Sequence, residues 1–159
     1  MSPDTQQILF DHYPDIFRER TLDKTKTCMC WGIETGDGWF DILNNLCGQL
    51  TLLKRYTGME VVAMQVKEKM GGLRFYWRMD TFPINATYEE QCHWYNIVEA
   101  LVHKAENMAE QTCEETGEYG VLHIRGGWLK TLSLAEGVKR GFMTAKEYDK
   151  QKVGLTGPL

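Results

Sequence analysis

Cysteines and histidines are the residues of this 159-residue chain with the most chemistry to offer, and their spacing withholds it. Cys28-Met29-Cys30 is a single close pair. A structural zinc site takes four ligands, commonly from two Cys-x2-Cys-like pairs. Cys47 and Cys92 fall on or beside helical apolar stripes, the setting of a cysteine that packs as a small hydrophobe. An odd total of five cysteines without a disulfide framework makes free thiols the expectation. His12, His93, His103 and His123 form no His-x-x-x-His or Glu-x-x-His pattern. His93 and His103 share one predicted helix but stand about 15 Å apart along its axis, too far to share a metal. Gly71-Gly72 and Gly126-Gly127 lack the flanking residues of a phosphate loop or a nucleophile elbow. Asp37, Asp41, Glu114, Glu115 and Glu118 sit at predicted helix ends and turns, where carboxylates are ordinary. No catalytic, cofactor-binding or metal-binding residue is therefore assigned.

A second kind of chemistry, recognition, is carried by alternation. Val62, Met64 and Val66, then Leu73, Phe75, Trp77 and Met79, alternate with polar residues on either side of Met70-Gly71-Gly72, which predicts a β-hairpin. The period of two places Val62, Val66, Phe75 and Trp77 towards a core. It gathers Gln65, Lys67, Arg74, Tyr76 and Arg78 on the opposite face. Lys67, Arg74, Tyr76 and Arg78 are the candidate partner-binding residues. Cations around a phenol ring suit phosphates and stacked bases, Arg and Tyr are equally favoured at protein interfaces, and a plain solvated face carries the same residues. On this reading Arg74 and Arg78 are solvated and dispensable for folding.

The elements that must hold this face are legible in outline. Ser2-Pro3 reads as a cap and first helical position, with Ile8, Leu9, Phe10 and Tyr13 behind it and Pro14 as breaker. Ile16 and Phe17 suit a second helical turn. Gly36-Asp37-Gly38-Trp39 reads as a helix start capped by Asp37, and Trp39, Leu43, Leu46, Leu50 and Leu53 share one face of a helix ending by Gly58. Thr87 and Glu90 form a capping box for a long helix whose stripe is Tyr88, Cys92, Tyr95, Val98, Val102, Ala105 and Ala109. Trp94, Ile97 and Leu101 make a neighbouring strip that predicts a homodimer if left to solvent. Val121, Leu122 and Ile124 suit a strand ended by Gly126-Gly127, and Ser133–Glu136 and Thr144–Glu147 cap two short closing helices. The expected architecture is α+β, a small antiparallel sheet centred on the hairpin and packed against one long helix and several shorter ones. A single domain spans 1–159, divided into an N-terminal helical segment (1–27), a core (28–136) and a C-terminal helical tail (137–159).

Composition narrows the classes further. With 43% hydrophobic residues the chain can bury a core, and a net charge of −4 opposes non-specific binding to nucleic acid. Neither a membrane span nor a signal peptide is visible, which predicts a cytoplasmic protein without membrane contact.

Three blocks, Met29-Cys30-Trp31-Gly32-Ile33-Glu34-Thr35-Gly36-Asp37-Gly38-Trp39, Gln65-Val66-Lys67-Glu68-Lys69-Met70-Gly71-Gly72-Leu73-Arg74-Phe75-Tyr76 and Gly127-Trp128-Leu129-Lys130-Thr131-Leu132, resemble a family of small phage and prophage proteins across about residues 28 to 136. The resemblance implies a zinc-ribbon-like tail with Cys-x2-Cys-Gly before the last strand and Cys-x2-His after the third block. Only Cys113 of those ligands is present; the matching positions hold Thr116, Ser133 and Glu136, which do not make a four-ligand site. The same resemblance, together with the small size and the lack of a catalytic constellation, favours a phage- or prophage-encoded, non-enzymatic protein of the host cytoplasm that modulates a host protein, including as an anti-defence inhibitor. A nucleic-acid accessory protein using the hairpin face and an enzyme with a site dispersed in sequence are the alternatives.

Overall fold

The computed structural model of the chain describes residues 1–155, with side chains through Gln151. The last four positions of the expected C-terminal tail, 156–159, lie outside the described residues. The architecture is α+β, as the alternation and capping patterns imply.

Pro3–His12 forms α1, with the Ser2 hydroxyl accepting the Thr5 N–H and Leu9 and Phe10 buried. Beyond Pro14 the chain buries Ile16 and Phe17 and takes 3-10 turns over Arg18–Thr21 and Met29–Trp31. Strand β1 (Ile33–Glu34) and a third 3-10 turn (Asp37–Trp39) lead into α2 (Phe40–Thr57), whose Leu43, Leu46 and Leu50 are buried with Trp39. Asp37 does not cap this helix. Its Oδ1 accepts the Ser2 N–H at 2.7 Å, so the carboxylate fastens the N-terminal segment instead. Gly58, at φ 77°, ends α2 by returning its N–H to the Lys54 carbonyl at 2.8 Å.

The hairpin consists of β2 (Glu60–Lys69) and β3 (Gly72–Thr81), and β1 pairs in parallel with the other edge of β2. Its register shifts between Ala63 and Gln65, pairing Ala63 with Trp77 but Gln65 with Tyr76. Met64 is the extra residue of a bulge, and a bulge reverses the alternation on one side of itself. Two expectations change as a result. Met64 is exposed, and Val62, paired with Arg78, lies on the face opposite Val66 and Phe75. Val62 is nonetheless buried, since the segment from Ile16 to Met29 runs against β2, donates the Thr27 hydroxyl towards the Met64 carbonyl and accepts the Ala63 N–H at the Ile16 carbonyl.

Helix α3 (Tyr88–Ala109) begins with the full Thr87–Glu90 capping box and is about 33 Å long over its 22 residues. Val98, Val102, Ala105 and Ala109 are buried, but the first three residues of the expected stripe, Tyr88, Cys92 and Tyr95, are exposed. Here α3 lies against the edge strand β3, where the Tyr95 ring packs against Trp77 at 4.7 Å between centroids. Trp94, Ile97 and Leu101 are half-buried, with Leu101 packed on the core.

The closing third holds more strand than the sequence reading assigned. Gly126-Gly127 does not end a lone strand. At φ 55° and 87° it turns β4 (Val121–Arg125) into β5 (Trp128–Leu132), with α4 (Leu134–Lys139), β6 (Met143–Thr144) and α5 (Ala145–Leu155) following. The expected single sheet is therefore two three-stranded sheets, ordered β1-β2-β3 and β5-β4-β6.

The two sheets meet where the three sequence blocks converge. The Thr131 hydroxyl donates to the Gly71 carbonyl at 2.6 Å, the Gly38 N–H to the Glu114 carbonyl at 2.8 Å and the Trp39 Nε1–H to the Thr112 carbonyl at 2.8 Å. A methyl group at Gly38 would fall well inside contact distance of the Cys113 carbonyl oxygen and the Gly117 nitrogen, both backbone atoms that cannot swing aside. Gly38→Ala is therefore expected to destabilise the fold by at least about 1 to 3 kcal/mol, the range of overpacking. Gly48→Ala, in the interior of α2 with its nearest new contact at 3.5 Å, is expected to stabilise by about 0.5 to 1 kcal/mol. Urea unfolding of the two variants checks both signs.

Candidate interaction surface

The sheet face turned away from α2 and α3 carries all four candidate residues, but the chain treats its two ends differently. At the end near the bulge, Arg78 reaches Glu19 at 2.6 Å and Asp80 at 2.5 Å, and Arg18 joins Asp80 to Glu60. Glu19 is buried and its second oxygen has no hydrogen-bond partner, so Arg78 is the charge that makes its burial tolerable. Arg78 is thus not the solvated residue that alternation implies. It bolts the N-terminal segment to β3, a role invisible in sequence because its partner lies on another element.

The other end is open. Tyr76 is 43% exposed, with the Lys67 ammonium 5.6 Å from its ring centroid. Arg74, paired with Lys67 across the strands, donates to the Leu73 carbonyl at 2.7 Å. Gln65 completes the row and donates to Glu34 of β1 at 3.3 Å, which sets a carboxylate at the margin of the basic residues. Lys67, Arg74 and Tyr76 are therefore together and accessible.

Alternation within one hairpin could not reveal the apolar groups around this face. Met64 is 40% exposed because of the bulge, and Trp31 is exposed just before β1. Met70 stands at the hairpin turn, and Trp128 opens β5. The Gly-Gly pair between two five-residue runs was the signal for the second hairpin, and with it for Trp128.

The positions singled out by the resemblance also come together. Burial pushes the Cys113 thiol up, but hydrogen bonds from the Thr116 hydroxyl and from the backbone N–H groups of Ser133, Thr116 and Glu115 outweigh it and lower its pKa overall. Ser133 caps α4 by accepting the Glu136 N–H at 3.3 Å. The Glu136 carboxylate turns instead to Lys139 and Arg140, both at 2.9 Å, so only half of the expected capping box forms. His123 is buried, its Nδ1 2.8 Å from the Val121 carbonyl and its ring against Gly137. Among the described residues no three His, Cys, Asp or Glu side chains are placed to share a metal. Of the remaining cysteines, Cys47 is buried as expected, whereas Cys92 and Cys28 are exposed and Cys30 is half-buried.

Hydrogen bonds from Arg78 hold the Asp80 carboxyl below the usual carboxylate range, burial opposing them and Arg18 adding to them. A carboxylate depressed in this way contributes stability that is fully present above its ordinary pKa of about 4 and is lost as pH falls through the depressed value. Arg78→Ala is expected to cost about 1 to 3 kcal/mol by leaving buried Glu19 unpaired. The gap from the wild type should be widest at pH 5 and above and narrow below about pH 4. Arg74→Ala should stay within about 0.5 kcal/mol at every pH. Thermal unfolding across that range separates the two arginines.

No protein-family model, curated protein or solved structure matches the chain, so the functional reading rests on the residues of this surface.

Proposed function

We propose that this chain is a phage- or prophage-encoded, non-enzymatic interaction protein of the host cytoplasm that modulates a host protein through the open half of its hairpin face. The observation that carries the reading is the Lys67–Tyr76–Arg74 group, side by side on a rigid paired hairpin and open to solvent. Its neighbours Trp31 and Met64 supply the apolar part of an interface, and Trp, Tyr, Met and Arg are the side chains that interfaces favour.

Two further observations support it over the alternatives. The recess bordered by His12, Asp15, Lys54 and Glu60 holds about 50 Å³, and its Lys54 is already paired with Asp15 at 2.9 Å and Glu60 at 2.7 Å. That is smaller than a substrate site, which takes roughly 300 to 1,000 Å³, and the larger hollow of about 570 Å³ beside His103 and Lys104 of α3 is open to solvent and has no carboxylate in its lining. For nucleic acid, Glu34 beside Gln65 and the internal neutralisation of Arg78 reduce the positive charge that the face can offer to phosphates.

The test is affinity capture from host cells with the wild type and with the Lys67→Glu/Tyr76→Ala double variant. One host protein should be retained in stoichiometric amount by the wild type and lost with the variant, whose melting temperature should match the wild type. Retention unaffected by the double variant, or capture of nuclease-sensitive material alone, would overturn the reading.

A further inference from the structure

Met70 occupies a conformation and a position that the fold itself does not reward. At φ 55° it sits with Gly71, at φ 81°, in the left-handed pair that a two-residue hairpin turn requires. Gly, Asn and Asp fill the first of these positions readily, whereas a side chain of methionine's bulk is strained there. Its side chain is also 68% exposed, so the strain is not repaid by burial. The turn is held in place from both sides: the Glu68 carboxylate accepts the Gly71 N–H at 2.7 Å, and Thr131 donates to the Gly71 carbonyl. Strain that the surroundings over-determine, at an exposed apolar group, is the signature of a binding position.

Beside Met70 lies the second turn. Trp128, 72% exposed, faces it across an open groove of about 270 Å³ that Lys69, Gly127, Leu129 and Glu68 also line, the Glu68 carboxylate being engaged by the Gly71 N–H and, at 3.8 Å, by Lys130. On the other side of Met70 a groove of about 300 Å³ contains Arg74, Leu122 and Glu110. Among the described residues, Lys67, Lys69 and Arg74 have no carboxylate within ion-pair distance, whereas Lys130, just behind them, is taken by Glu114 and Glu68. Among the described residues the edge thus carries two apolar anchors and three cations that stand outside any ion pair.

We infer that the Met70 and Trp128 turns form one docking edge, continuous with the Lys67–Tyr76 face, for an acidic segment of a partner protein that carries an apolar side chain into the groove between them. The inference rests on the proposed interaction function and gives its partner a chemistry. Charge complementarity selects an acidic segment, and Met70, an exposed and flexible apolar side chain with no planar ring on which a base could stack, favours protein over nucleic acid.

The experiment pans a display library of random 12-residue peptides against the full chain and measures the recovered peptides by fluorescence anisotropy. Peptides rich in Asp and Glu around Leu, Phe or Trp are expected. Their affinity should fall at least tenfold with Met70→Asn, with Trp128→Ala and with Lys69→Glu, while Arg55→Glu, in the last turn of α2, leaves it unchanged. Met70→Asn should raise the melting temperature, which separates lost binding from lost folding. Peptides without acidic bias, an empty selection, or affinities indifferent to Met70→Asn and Trp128→Ala would overturn the docking edge. Peptides that respond only to Lys67→Glu and Tyr76→Ala would overturn it while leaving the interaction face standing. A 20-nucleotide single-stranded DNA that displaces the peptides with a steep salt dependence would overturn the assignment to protein.

Discussion

Glu114 is a carboxylate with only 4% of its side chain exposed, and a buried carboxylate persists only where every part of it is answered. Its two oxygens accept the Gly36 N–H at 3.0 Å and the Lys130 ammonium at 2.5 Å. Its backbone carbonyl accepts the Gly38 N–H, and its own N–H donates to the Thr131 carbonyl at 2.9 Å. One residue thereby ties the entrance of α2 to the second hairpin, and Lys130 extends the tie to Glu68 beside the first hairpin's turn. Because these bonds span the chain, the joint forms only when both sheets are in place. It joins the three-stranded sheet that packs on α2 and α3 to the smaller closing sheet as one body.

The three sequence blocks around Gly36-Asp37-Gly38, Met70-Gly71-Gly72 and Lys130-Thr131 are largely the parts of this joint. Gly36 and Gly38 let the backbone at residues 113 to 117 approach, Trp39 donates across it, Gly71 accepts from Thr131, and Lys130 meets Glu114. Their residue types answer to packing. The binding surface proposed above uses what the same blocks leave over: Lys67, Met70, Arg74 and Tyr76 on one hairpin and Trp128 on the other. The joint serves that surface by holding the two turns side by side, which a pair of independent hairpins would not do.

The bulge at Met64 makes the second division. By reversing the alternation it turns Val62 away from α2 and α3, and the N-terminal segment then covers Val62 and recruits Arg78 through Glu19. A face that alternation makes uniform is therefore half structural and half free, and the free half lies nearest the turns. Exposed aromatic groups at the start of α3 remain outside both the core and this surface.

Sequence alone determined the features whose causes are local. The caps at Ser2, Thr87 and Thr144, the stop at Gly58, the hairpin about Met70-Gly71 and the buried face of α2 each follow from hydrogen bonds or periodicity within a few residues. So do the α+β class and the gathering of Lys67, Arg74 and Tyr76. Tertiary structure decided whatever depends on a partner far along the chain. Arg78 is bound because Glu19 arrives from another segment, and Cys113 and Thr116, in the loop before β4, meet Ser133 because that loop lies against the end of β5. Glu114, read in sequence as an ordinary turn carboxylate, becomes the centre of the joint. The inward face of α3 was legible only from Val98 onward, since a helix stripe states which residues can be buried, and the length of the sheet beneath it decides how many are. Bulges escape the sequence for the same reason: a single extra residue is set by the pairing of two strands and leaves no mark in either one alone.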